Sequence, residues 1–274
     1  MARITIPYAV ADFAEMRERG FYYVDKTNYI PGLEDYNAPI FLRPRRFGKS
    51  LLVSTLEAYF LRKKELFNGL DMEQLEKDWT VYPVLHIDFS GSKYMEAESL
   101  RASINVQLLL WENVYGRQEG EDTFSLRLEG IIRRAYEQTG QQVVVLVDEY
   151  DAPMLDSNNN HELQHEISGI MRDFFSPLKK SGKYLRFLFL TGISKFSQMS
   201  IFSELNNLQN VSMSDNYSTI CGITEQELLT QMQIDVEQMA QANDETYEEA
   251  CAHLKKQYDG YHFSNCLLYT SPSP

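Results

Sequence analysis

The chain has 274 residues, a net charge of −13, and 43% hydrophobic and 24% charged residues, enough for one large α/β domain and a smaller appendage. No run approaches the roughly 20 apolar residues needed to span a bilayer, and residues 1–7 lack a secretory apolar stretch, so the cytoplasm is the expected compartment. The acidic balance argues against a broad nucleic-acid-binding face, which needs clustered Lys and Arg; Arg43, Arg45 and Arg46 make one local basic spot.

Short apolar runs at 39–42, 82–89, 143–147 and 186–191 read as buried parallel strands, with a weaker fifth at 218–223. The third, five residues of Val and Leu, is the clearest. Amphipathic stretches at 50–66 and 100–114 read as helices. Strands alternating with helices predict a three-layer α/β fold, a parallel sheet with helices on both faces. Thr224 followed by Glu227 is a capping box opening a polar helical region through Gln257. The expected division is a core over 1–222 and a small helical subdomain over 223–265.

Residues 43–50, Arg-Pro-Arg-Arg-Phe-Gly-Lys-Ser, follow the first strand and open a helix, the setting of a phosphate-binding loop. There, backbone N–H groups and the positive end of a helix surround a phosphate. Gly48 would let the backbone approach closely. Lys49 would supply charge to the β- and γ-phosphates, and Ser50 a hydroxyl ligand to Mg²⁺. Arg45, Arg46, Phe47 and Leu51 complete the expected binding loop. The first glycine of the general G-x-x-x-x-G-K-[ST] motif is here Arg43, which Pro44 pushes toward extended geometry.

The third strand runs into Asp148 and Glu149. Asp148 is expected beside Ser50, holding Mg²⁺, and Glu149 is expected to polarise an attacking water. The separation of Lys49 from Asp148 fits P-loop NTPases in which the Asp-Glu strand is not adjacent to the phosphate-loop strand, the fourth strand lying between. That fourth strand ends at Thr191, the first choice for a hydroxyl reaching the water or γ-phosphate, with Ser194 second.

The chain resembles the bacterial AAA-ATPase-like family of predicted ATP-binding proteins. The resemblance is carried by residues 22–27, 43–51, 82–84, 88–90, 147–153, 190–197, 203–208, 221–224 and 258–263. The Arg-Pro-Arg-Arg-Phe-Gly-Lys form of the loop is that family's usual one. The resemblance implies ATP as a ligand and, in many members, a C-terminal PD-(D/E)xK nuclease-like domain; Mg²⁺ is the cofactor the Ser50 and Asp148 reading calls for. The function expected is Mg²⁺-dependent ATP hydrolysis driving or gating an attached effector. A non-hydrolysing ATP-binding regulatory module is the alternative, and a small-molecule kinase ranks third. No Asn-Lys-x-Asp element favours guanine. The oligomeric state and effector stay open.

Other signals are weaker. His161-Glu162-Leu163-Gln164-His165 has zinc-protease spacing but follows a polar loop, and is read as a surface helix. Arg172 and Arg186 are candidates for a charge-stabilising arginine. Tyr23, Asp25 and Lys26 are candidates to border a nucleotide base. Cys221, Cys251 and Cys266 read as reduced thiols. Residues 266–274 back-translate to a transposon-end sequencing adapter, and are expected to replace natural sequence following Asn265.

Overall fold

The computed structural model describes residues 7, 9–157, 159–194, 208–258, 261–262 and 267–269. Five strands form one parallel sheet in the order β2-β3-β4-β1-β5. They are β1 (Pro39–Leu42), β2 (Val84–Asp88), β3 (Val143–Asp148), β4 (Leu185–Gly192) and β5 (Gln209–Asn210). β4 therefore separates β1 from β3, as expected. Every residue of β3 is buried, which explains its unbroken apolar run: both faces of a parallel strand are covered.

The strand period of two sends alternate side chains into separate cores. Val143, Val145, Val147, Leu188 and Leu190 pack on one face with α5 (Ala97–Tyr115), α6 (Phe124–Thr139) and α8 (His161–Lys180). Val144, Leu146, Phe187 and Phe189 pack on the other with α1 (Phe13–Glu18), α2 (Ile30–Glu34), α3 (Lys49–Phe60) and α4 (Asp71–Leu75). Each such side chain contributes about 1.5–3 kcal/mol of hydrophobic stabilisation. α7 (Ala152–Asp156) is a single turn after β3.

The α5–α6 pair is fastened by buried charge. Arg127 grips Glu112 at 2.7 and 2.8 Å, and Arg134 grips Glu121 at 2.5 and 3.0 Å. Close packing against Glu121 requires Gly130, where a Cβ would stand 1.9 Å from the carboxylate.

The expectation of a fifth strand at 218–223 is corrected. Asp215–Tyr217 is a 3₁₀ turn, and Tyr217, Ile220 and Cys221 bury apolar side chains without extending. Sheet position five belongs to the two exposed residues of β5, whose polar side chains carry no periodic signal. The short β6 (Ile223–Thr224) pairs instead in a small antiparallel sheet with β8 (Leu267–Tyr269), which also pairs with β7 (Tyr261–His262). Part of the adapter-like tail thus lies in this sheet. Such pairing is available to any short apolar segment, and the rest of 266–274 lies outside the described residues.

The predicted capping box forms. Thr224 Oγ1 accepts from Glu227 N at 3.1 Å, and Glu227 Oε2 accepts from Thr224 N at 2.8 Å. It opens α9 (Glu225–Gln231), followed by α10 (Gln233–Ala242) and α11 (Tyr247–Tyr258). These helices build their own core from Leu228, Met232, Val236, Ala240 and Ala250. Among the described residues, no helix is long and apolar enough to cross a membrane.

Candidate functional site

The loop leaving β1 is anchored by Arg43. Its backbone N–H donates to Gly192 O at 3.1 Å, continuing the β1–β4 ladder. Its guanidinium, 1% exposed, donates to the carbonyls of Leu42, Ser212 and Tyr217 at 2.9, 2.5 and 3.3 Å and stacks on Phe41. Burial pushes its pKa down to about 10. Arg43 is therefore removed from the expected basic spot, leaving Arg45 and Arg46 exposed. It fastens the loop where the general motif has a flexible glycine.

The loop then turns tightly. Arg46 has φ 68° and Gly48 φ 81°, both left-handed. A Cβ on Gly48 would meet no protein atom within 4 Å, so backbone conformation, not packing, demands glycine. Gly48 is the N-cap of α3 and supplies no side-chain cap. α2, α4, α5, α7 and α10 likewise lack a side-chain cap, whereas α1, α6, α8 and α9 are capped by Asp12, Thr123, Asn160 and Thr224. The first N–H groups of α3 are therefore left for another acceptor. Lys49, 3% exposed, donates from Nζ to Pro44 O at 3.2 Å within the loop. Phe47 is buried; Ser50 and Leu51 are half-buried.

Across from it, β3 ends in Asp148, which is 3% exposed. Its Oδ1 accepts from the Thr191 hydroxyl and from Glu149 N, the latter at 3.0 Å. Thr191 is wholly buried. Its hydroxyl, the first choice for reaching an attacking water, donates to Asp148. Glu149 has φ 49°, left-handed geometry that strains a residue with a Cβ. Its carboxyl pKa is raised, chiefly by burial; Lys49 and Arg45 oppose the rise, while Asp148 and Asp151 add to it.

Lys49, Ser50 and Glu149 line one cavity of about 440 Å³, within the size range of small-molecule sites. Arg46, Phe47, Gly48 and Leu51 line it too, with Tyr22, Tyr23, Lys26, Cys221 and Met232 completing the walls. Arg45, Asp148 and Thr191 are not in its wall. Of the base-bordering candidates, Tyr23 and Lys26 line this cavity. Asp25 instead accepts from Thr27 N and Asp71 N at 2.8 and 2.7 Å, closing a turn. Cys221 is buried, and desolvation pushes its thiol pKa up to about 12.

The remaining candidates fall elsewhere. His161, His165 and Arg172 are exposed on α8, as a surface helix requires. Arg186 pairs with Glu34 at 2.5 Å near the start of β4, at the opposite end of that strand from Thr191. Ser194 gives its N–H to Asp151 and its carbonyl to Tyr150. The matched residues 195–197 and 203–207 lie outside the described residues. Asp151, fully buried beside this turn, has no motif logic of its own and was missed; its only signal was membership of the 147–153 block.

Fold and site together define a mixed α/β protein in which a glycine-led, uncapped helix start shares a cavity with an acid from a buried strand end. The family described as predicted AAA-ATPase, AAA-ATPase-like, matches residues 7–202, and the chain belongs to it. A curated relative, the "uncharacterized protein in vnfD 5'region" of Azotobacter chroococcum mcd 1, is 40% identical over 228 residues, covering 82% of this chain. The chain spans 44% of that relative's length.

Proposed function

We propose that the chain is a P-loop ATPase that binds Mg·ATP in this cavity and hydrolyses it. The observation that carries the reading is the uncapped start of α3, with left-handed Gly48 and buried Lys49, lining the same cavity as Glu149. Family membership supports an ATPase-like function in general terms. The polyphosphate accepts from the free N–H groups of α3, while Lys49 exchanges Pro44 O for phosphate oxygen.

The residues present fit Mg²⁺. Ser50 in the cavity wall offers a hard oxygen donor that would suit this ion, and Asp148, buried at the adjoining strand end outside that wall, would supply a second only through its Oδ2, since Oδ1 already accepts from Thr191 and Glu149. When bound, Mg²⁺ neutralises charge on the β- and γ-phosphate oxygens. Thr191 fixes the orientation of Asp148. Glu149 takes a proton as water attacks the γ-phosphorus; the bond to the β–γ bridging oxygen breaks and ADP leaves. A carboxyl pKa raised by burial suits that base role.

The separate core of α9–α11 supports the division into 1–222 and 223–265. We place the protein in the cytoplasm, with ATP turnover driving or gating an effector in sequence beyond this chain, a nuclease-like domain being one form. The acidic charge supports no direct nucleic-acid binding by this domain.

The test is Glu149→Gln, assayed for Mg·ATP affinity and phosphate release. Retained affinity with release lowered about 100-fold or more is expected. Unchanged release removes Glu149 from the mechanism. ATP binding without release by the unmutated protein would leave a non-hydrolysing regulatory module.

A further inference from the structure

We infer that Asp151 is a positioning residue for Glu149, clamping the turn that presents Glu149 onto the loop following β4. The role in turnover rests on the proposed function; the clamp itself does not.

Asp151 is 0% exposed. Its Oδ2 accepts from Ile193 N at 2.8 Å and from Ser194 N at 2.7 Å. The adjacent Tyr150 donates its hydroxyl to Ser194 O at 2.5 Å and its backbone N–H to Thr191 O at 2.9 Å. Residues 150–151 are thus sewn to residues 191–194. Glu149 sits between this seam and the end of β3, with Ala152 N donating to Glu149 O at 2.9 Å. A left-handed glutamate persists only where its surroundings over-determine the conformation. Asp148 holds one side of it and the Asp151 seam the other.

Gly192 supplies independent support. A Cβ there would lie 2.6 Å from Asp151 Oδ1 and 2.6 Å from the Tyr150 ring. The φ of Gly192 is not left-handed, so close approach of the clamp is what calls for glycine. Burying a carboxylate is costly, and here burial raises its pKa while the amides of Ser194 and Ile193, and the charge of Lys49, counteract that rise. Asp151 does not line the cavity; it acts through the turn.

The experiment compares the unmutated chain with Asp151→Ala and Asp151→Asn. It measures kcat, affinity for a non-hydrolysable Mg·ATP analogue, and amide hydrogen exchange at Ile193 and Ser194. In D151A, kcat falls about 100-fold while analogue affinity holds within about threefold, and both amides exchange faster. D151N keeps an acceptor oxygen and recovers most of the rate and protection. The clamp is overturned if D151A leaves the amides protected, if kcat and affinity fall together, or if D151N is as slow as D151A. Should D151A fail to fold, Gly192→Ala, which crowds the carboxylate without removing it, is read by the same criteria. An unmutated protein that binds the analogue without turnover sinks the hydrolysis reading alone; amide exchange then upholds or overturns the clamp.

Discussion

Lys26, in the wall of the cavity, pairs with Glu227, 201 positions along the chain. The same Glu227 carboxylate completes the capping box of α9. One side chain therefore starts a helix and ties the helical region to the segment leading into the core.

The two side chains are 10% and 20% exposed, so removing one partner strands a largely buried charge. Lys26→Met should cost about 2 kcal/mol, and the double variant with Glu227→Gln should recover part of it. Chemical denaturation of the single and double variants checks this; additive losses would mean the pair carries no coupling.

At Gly48 the φ of 81° is left-handed, and any Cβ there adds about 1–2 kcal/mol of backbone strain. The space around that position is open, so Gly48→Ala should fold. It should bind Mg·ATP more weakly than the unmutated chain, and Lys49→Ala more weakly still. Thermal shift with and without Mg·ATP separates the outcomes: full ligand-induced stabilisation in both variants would move the phosphate site elsewhere.

Arg43 is expected to matter for stability more than for ligand affinity. Arg43→Ala leaves the carbonyls of Ser212 and Tyr217 without their buried donor, at a cost of about 3 kcal/mol. Arg43→Lys keeps the charge but not the planar fork, and should recover only part. Denaturation midpoints test this, and a fully stable alanine variant contradicts the anchoring role.

His86 on β2 faces Glu57 on α3, with Nδ1 and Oε2 2.9 Å apart. Burial works against the imidazolium, but the hydrogen bond and charge of Glu57 outweigh it, helped by Asp148 and Asp88, and the pKa is raised above its ordinary 6.5. A folded pKa above the unfolded one means the stabilisation is fully present below about pH 6.5 and fades as pH rises through the folded value. Stability measured against pH should fall across that window, and His86→Gln should flatten the fall. An unchanged slope in H86Q assigns the pH dependence to other groups.

Much of this protein was legible locally. The runs of β1–β4, the capping box at Thr224 and the strand–loop–helix setting of Lys49 are written in contiguous residues, because strand period, helix capping and loop entry are properties of neighbours in the chain. The insertion of β4 between β1 and β3, expected from the long gap between Lys49 and Asp148, also appears in the sheet. β5 escaped because two exposed polar residues owe their extension to the β1 edge they pair with. Arg43 read as a surface cation, since its acceptors at Ser212 and Tyr217 are supplied from 169 and 174 positions away. The hydroxyl of Thr191 meets Asp148 because the parallel pairing of β3 with β4 sets the two strand ends side by side, a partnership no local pattern announces. Composition and local pattern determine which segments become strands and helices; which buried charge meets which partner is decided only when the sheet brings distant strand ends together, because burial makes an unpaired polar group too costly to leave alone.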